Sequence, residues 1–547
     1  MAEQTKAQSD ASFDIVIVGA GFGGLYALHK LRKLGYRIKV LEAGSGVGGT
    51  WYWNRYPGAR CDVESLEYSY SFSEPLQQDW EWPERFSAQP DILRYANHVA
   101  DRFDLRRDIQ FNTRVVSAIY AARSNQWCIT TNSQERIHAR FCVMATGNLS
   151  LPKVPDFKGL SDFAGRWYHT GQWPKEKVDF KGLKVGVVGT GSSAIQIIPV
   201  LATQARALTV FQRTANFSLP SGNAPLDPTF VKQFKARYAA HRAEADRTPF
   251  GIAGHPPPTQ FSREVTPEER EKAYTARWGT GGNIAFLYAY KDLLVDKEAN
   301  EIASEFVRRK IREIVKDPTV AERLAPKDHY IGTKRLCLDS GYYETFNRDN
   351  VDLVDVKSDP IQEITQAGIR TRTQEYPLDA IVFATGFDAM TGALLDIDIR
   401  VEGGPSLREH WAAGPTTYLG IFVAGFPNLF MITGPGSPSV KSNMIAAIEQ
   451  HVNWIHNLLE HAQSREVVKI EASAQAESTW VQHVNDVANG TLYPLTNSWY
   501  TGANIPGKPS VFMPYVAGLD KYRDHCEKLA REAYPGLDFS SSSGSNR

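Results

Sequence analysis

Twice in this chain an apolar run ends in a glycine cluster that opens onto a helix-forming stretch, once at Gly19 and again at Gly189. FDIVIVGAG leads into Gly19-Ala20-Gly21-Phe22-Gly23-Gly24; LYALHKLRKLG then reads as a helix and YRIKVLEAG as the next strand. LKVGVVGTG leads into Gly189-Thr190-Gly191-Ser192-Ser193-Ala194, followed by the helix SSAIQIIPVLATQA and the strand ALTVFQR. A strand, a tight glycine turn, a helix and a returning strand constrain a chain to parallel α/β sheets. Each turn has the form of a dinucleotide fingerprint. Its first glycine permits the turn, its second lets the backbone approach a pyrophosphate, and a third small residue packs helix on strand. The helix N-terminus adds N–H groups and a positive dipole. Gly19, Gly21 and Gly24 are the expected contacts at the first site. Thr190, Gly191, Ser192, Ser193 and Gln196 are those at the second.

The two second strands end differently, and the difference assigns the ligands. Glu42 closes the first, about 20 residues past the glycines, where a carboxylate accepts from ribose hydroxyls. Gln212-Arg213-Thr214 closes the second, without an acid. An acid there would repel a ribose 2′-phosphate, whereas arginine pairs with one through charge-assisted bonds. Glu42 therefore suits FAD, and Arg213 with Thr214 suits NADPH; the bland alternative is that Arg213 is an ordinary surface cation. Two such sites in one chain imply a hydride passed between cofactors.

At 547 residues the chain is long enough for two or three domains. Lys+Arg and Asp+Glu balance at 61 each, so net charge gives no support for nucleic acid or an anionic membrane as partner. The start, Met1 to Ser12, is polar, SSSGSNR reads as a flexible end, and no apolar run approaches a membrane span. The five cysteines form no CxxC pair and the histidines no HExxH, which argues against redox-disulfide chemistry and a metal site. Packed, reduced thiols in a cytoplasmic protein are expected. From about residue 216 to 329 charged helix-forming stretches such as PEEREKAYTARW dominate without strand alternation, and strands resume with VDLVDV, DAIVFATGF and NLFMITGPG. The expected fold is α/β: two nested Rossmann-like doubly wound domains with a helical insertion. Residues 1–146 and 383–547 would bind FAD, 147–215 and 330–382 would bind NADPH, and 216–329 would form the insertion.

Two further segments are specific. Gly49-Thr50-Trp51-Tyr52-Trp53-Asn54-Arg55-Tyr56-Pro57-Gly58-Ala59-Arg60-Cys61-Asp62 fits [AG]GxWxxxx[FY]P[GM]xxxD. Phe163-Ala164-Gly165-Arg166-Trp167-Tyr168-His169-Thr170-Gly171-Gln172-Trp173-Pro174 fits FxGxxxHxxxW[PD] just ahead of the second fingerprint. Together they resemble the type I Baeyer–Villiger monooxygenases, the cyclohexanone and phenylacetone monooxygenase group, over almost the whole chain. The resemblance implies that NADPH and O2 convert a ketone into an ester or lactone through a C4a-peroxyflavin. Such an anion needs a fixed cation and exclusion of bulk water.

Lys334-Arg335 offers two cations, which local sequence alone would read as a solvated loop tip. The resemblance makes Arg335 catalytic and directs Lys334 to the NADPH 2′-phosphate beside Arg213. It sets Asp62 against Arg335, orienting the guanidinium; the alternative is a helix N-cap ahead of VESLEYSYSF, and both roles can coexist. Gly49, Thr50, Trp51 and Tyr68 join the flavin contacts, and Trp499, in NSWYTGANIPGKP, is either a nicotinamide-side contact or core. His169 lies between the domains and reads as structural rather than as a general base, and Trp173 as packing. GPGSPS (Gly434 to Ser439) should approach the flavin, so that Val440 and Met444, with Asn148 and Leu149, border the ketone pocket. Lys441 departs from the apolar residue usual in relatives; it either points to solvent or makes the entrance more polar. The rival is an N- or S-oxygenating flavin monooxygenase, against which Trp173-Pro174 and Arg335 argue. A monomer is expected.

Overall fold

The fold is taken from a computed structural model that describes residues 11–541. The first apolar run forms the strand Ala11–Val18. Ile15 and Ile17 enter one core, and Val16 and Val18 another on the opposite face. Ile15 to Val18 are all apolar because both faces of this half of the strand are covered. It lies inside an eight-stranded sheet of order 398–401, 115–121, 126–131, 136–144, 11–18, 38–41 and 109–110, with 429–431 also pairing 136–144. Its partners 38–41 and 136–144 run parallel to it, while 115–144 is an antiparallel meander.

The second sheet has five parallel strands in the order 351–355, 207–212, 184–188, 380–383 and 166–169. Two of them come from beyond the helical region, and the first sheet draws 398–401 and 429–431 from beyond the second. The nesting follows from this: each sheet is completed only after the other has begun. Both glycine turns stand at the carboxyl ends of central strands, where open α/β sheets bind ligands.

Residues 216–329 hold the helices Pro228–Ala236, Tyr238–Ala245, Pro267–Thr280, Asn283–Leu287, Lys297–Ile314 and Pro318–Leu324. They are not free of strand, as the sequence suggested. Ser218–Pro220 pairs in parallel with Cys337–Asp339, because the chain leaves and re-enters the second domain along one line, and the two passes satisfy each other's backbone groups. Nor is the longest helix mostly solvated: Ala303, Phe306, Val307 and Ile311 of Lys297–Ile314 enter the core of the second domain.

The polar start and the serine-rich end lie largely outside the described residues. Ala11, Ser12 and Ser541, assigned to them from sequence, belong to strands. Among the described residues no helix is long and apolar enough to cross a membrane.

Candidate functional site

A cleft of about 440 Å³ runs from the first glycine turn to Thr433 and Val440, the residues on either side of the GPGSPS loop, which does not itself line it. Its walls bring together Gly19, Gly21, Glu42, Gly49, Thr50, Trp51, Asp62 and Tyr68 from the first domain, and Ser192, Ser193 and Gln196 from the second fingerprint. Arg335, Trp499, Asn148, Leu149, Val440 and Met444 complete the expected set within it. Gly24 lies outside the lining for a packing reason: a Cβ there would come 1.8 Å from the Gly19 carbonyl oxygen. Glu42 is buried, with its two oxygens accepting from Ala20 N (2.7 Å) and Gly44 N (2.6 Å). Burial pushes its pKa up, and the two N–H groups oppose that. Each oxygen keeps a free lone pair, so the carboxylate can still accept from a ribose in the cleft. Trp51 Nε1 donates to Tyr68 Oη at 3.0 Å, which fixes the tryptophan of the motif. The turn geometry and this acceptor fit an FAD adenosine diphosphate.

At the far end Arg335 grips Asp62 bidentately, Nε to Oδ2 at 2.7 Å and Nη2 to Oδ1, while Nη1 donates to Val440 O at 3.0 Å. Burial alone would lower the arginine's pKa. The Asp62 carboxylate more than offsets that and holds it above its ordinary value, so the charge is permanent. The Arg335 side chain stays 28% exposed and lines the cleft. The helix that the alternative reading of Asp62 as an N-cap requires does not form. Turns occupy residues 63–72, and the next helix starts at Glu74 with Ser73 as its cap. Asp62 therefore caps nothing and is committed to Arg335. Asn148 Nδ2 donates to Ser439 Oγ at 2.9 Å, tying one pocket wall to the other.

Thr190 Oγ1 donates to Thr214 O at 2.7 Å, joining the second glycine turn to the end of its sheet. A Cβ built on Gly191 meets no protein atom within 4 Å; the space over it is open to a pyrophosphate. Thr190, Gly191, Arg213, Thr214 and Lys334 do not line the main cleft. Arg213 instead is close enough to depress Lys334, whose pKa is lowered first by burial. Lys153 is lowered in the same way, by burial and then by Arg213, and it has no local sequence signal that would have found it. This group of cations suits a phosphate dianion and so fits NADPH. Gln196 is committed to the domain interface: it accepts from Tyr56 Oη (2.7 Å) and donates to Arg60 O (2.9 Å).

His169 is buried outside the cleft. Its Nδ1 accepts from Gly171 N (3.0 Å), so Nε2 carries the proton toward Thr385 Oγ1 at 3.2 Å. Burial lowers its pKa to about 4, and the ring is a neutral link between strand ends. Trp173 packs on Tyr168 and Phe180. Lys441 does not point to solvent. Its Nζ lies over the rings of Tyr493 (4.2 Å) and Tyr500 (4.8 Å). Neither tyrosine was singled out from sequence, because they meet Lys441 only through the fold.

Compared with known proteins, residues 16–247 match the family Pyridine nucleotide-disulphide oxidoreductase; the five cysteines here are nonetheless unpaired. A Baeyer-Villiger monooxygenase of Pseudooceanicola batsensis is 43% identical, over 98% of this chain and 97% of that one. Cyclohexanone 1,2-monooxygenase of an Acinetobacter species is 41% identical over 96% of each. A phenazine N-monooxygenase of Lysobacter antibioticus is 40% identical, also over 96% of each. Among solved structures, an oxidised steroid monooxygenase bound to NADP superposes with a TM-score of 0.93 at 49% identity, covering 97% of this chain and all of that one.

Proposed function

The chain belongs to the Baeyer–Villiger monooxygenases, and from that premise we propose the roles its residues take in converting a ketone to an ester or lactone with FAD, NADPH and O2. The observation that carries the reading is the Arg335–Asp62 pair at the cleft wall, anchored to Val440 O. Bound FAD, once reduced by NADPH, supplies the oxygen-activating chemistry. Arg335 supplies a fixed positive charge beside the reacting atoms, which stabilises negative charge on oxygen and polarises the ketone carbonyl. Asp62 positions the guanidinium. Glu42 orients the flavin's ribose. Arg213, Lys334 and Lys153 take the 2′-phosphate of NADPH. Val440, Met444, Asn148 and Leu149 border the ketone, and Trp499 closes the nicotinamide side.

Residues 1–146 and 383–547 serve as the FAD domain, 147–215 and 330–382 as the NADPH domain, and 216–329 as the helical insertion, with Phe383 at the join still closing a strand of the second sheet. Five unpaired cysteines suit a reducing compartment such as the cytoplasm.

Incubation with NADPH, air and either a cyclic ketone or a tertiary amine separates this reading from N-oxygenation. Lactone from the ketone is expected; amine oxide without lactone would overturn it. An Arg335→Met variant that keeps its FAD should still oxidise NADPH while losing lactone formation by roughly 100-fold or more. Unchanged lactone formation would remove Arg335 from the reacting centre.

A further inference from the structure

Beside the main cleft lies a smaller cavity of about 40 Å³ that shares Val63, Arg335 and Ser442 with it. Much of its wall is apolar, including Phe250, Ile252, Leu287 and Leu336. Into this apolar chamber project two donors that nothing uses. The Tyr500 hydroxyl is buried and has no hydrogen-bond partner of proper geometry. The Lys441 amine rests on the faces of Tyr493 and Tyr500, and its one charged neighbour of consequence is Arg335.

Two neighbouring polar side chains of the 442–443 loop are committed elsewhere. Asn443 Nδ2 donates to Glu67 O at 2.9 Å, and its Oδ1 accepts from Ile445 N; Ser442 Oγ donates to Ser439 O. Charge is unbalanced in the same direction: Asp62 answers Arg335, and no carboxylate among the described residues answers Lys441. A chamber with an unanswered cation and an unpartnered hydroxyl favours a group that carries negative charge and accepts from both, and an ionised carboxylate is that group. The volume holds a few waters or one carboxylate.

We infer that Lys441 and Tyr500 form an anion-recognition subsite adjoining Arg335, and that the enzyme prefers ketones carrying a carboxylate a few bonds from the carbonyl. The inference rests on the reading that the ketone carbonyl meets Arg335. In the free enzyme burial and Arg335 press the Lys441 pKa well down; an incoming carboxylate opposes both, so the ammonium form and the ligand stabilise each other.

The test compares an oxocyclohexanecarboxylate with its methyl ester in the wild-type holoenzyme and in Lys441→Met, Lys441→Arg and Tyr500→Phe, at matched FAD content. Lactone formation and binding, read from the flavin absorbance, are both measured. One charge-assisted contact should favour the acid by roughly 10- to 100-fold in kcat/KM and in Kd. That ratio should fall toward one in Lys441→Met, survive in Lys441→Arg and shrink in Tyr500→Phe. Equal binding of acid and ester by the wild type, or a ratio untouched in Lys441→Met, overturns the subsite. Tight, lysine-dependent binding of the acid with no lactone from either compound would refute the ketone reading and leave the subsite standing.

Discussion

Replacing Asp62 by Asn keeps the side chain's shape and one acceptor while removing the charge that faces Arg335. The carboxylate meets the guanidinium through two contacts, one of 2.7 Å. For charges separated by roughly 4 Å, an effective dielectric of 20 gives about 4 kcal/mol of attraction. The two side chains are 28% and 22% exposed, so water and the cleft screen part of it, and about 2 kcal/mol is the realistic loss. That energy holds one orientation of a flexible side chain, and its loss lowers the productively aimed fraction of Arg335 by about 30-fold. Hydride transfer comes before any negative charge on oxygen needs stabilising, and so does not depend on that orientation. Asp62→Asn should therefore reduce its flavin with NADPH, under anaerobic conditions, at close to the wild-type rate. Its lactone formation should drop about 30-fold, with the balance of NADPH oxidation appearing as hydrogen peroxide. Wild-type lactone per NADPH in a variant of equal FAD content would refute the orienting role. So would an equal loss of flavin reduction, which would point to a collapsed cleft.

Gly191→Ala should keep its melting temperature, since the added methyl meets no protein atom within 4 Å; the NADPH KM should rise about 10-fold or more as the methyl blocks the pyrophosphate, and an unchanged KM would move the cofactor elsewhere. Gly24→Ala should fail to hold FAD or to fold, because its Cβ would overlap the Gly19 carbonyl oxygen at 1.8 Å; a yellow, stable protein would contradict the packing. Arg213→Ala should raise the NADPH KM by roughly 10- to 100-fold and leave the NADH KM nearly alone, and parallel losses for both would show that the 2′-phosphate binds elsewhere. Burial holds His169 at about 4 in the folded state, so the unfolded chain takes up its proton first as pH falls. His169 thus contributes full stability above pH 6.5 and loses up to about 3 kcal/mol of it between pH 6.5 and 4. Denaturant titrations of His169→Gln should show a shallower acid loss than the wild type, and identical slopes would mean that the ring is solvated.

What the sequence made legible was what repeats locally: apolar runs that become central strands, glycine turns with fixed spacing, and the acid or base that closes each second strand. Such features act within about 25 residues and need no knowledge of the rest of the fold. The details that local sequence leaves open or misreads depend on distant partners. Asp62 resembles an N-cap until Arg335 arrives from far along the chain, and the segment after it then bends to carry Glu67 toward His241 and Arg242 rather than coiling into a helix. Ser218–Pro220 is a strand only because Cys337–Asp339 lies beside it. Lys441 is a solvated cation by composition and an aromatic-caged one by tertiary packing.

The GxW segment deserves its length for a reason that neither fingerprint supplies. It begins at Gly49, packed against the flavin turn so that a Cβ would lie 2.8 Å from Gly21 Cα, and its Gly58 packs so closely on the second domain's helix that a Cβ would lie 2.4 Å from Gln196 O. Tyr56 and Arg60, on either side of that glycine, hold the Gln196 amide from both ends. Two residues later, Asp62 aims Arg335. One continuous stretch therefore touches the flavin turn, the nicotinamide helix and the catalytic cation. A shift of one domain against the other must pull on Asp62, because the segment is too short to absorb the movement. Hydride delivery and the placement of positive charge at the ketone are then coupled through backbone, not through a shared ligand. Gly58→Ala, which wedges the contact apart, should consequently lower lactone yield per NADPH as well as NADPH affinity. A variant that lost only affinity would show that the two ends of the segment move independently.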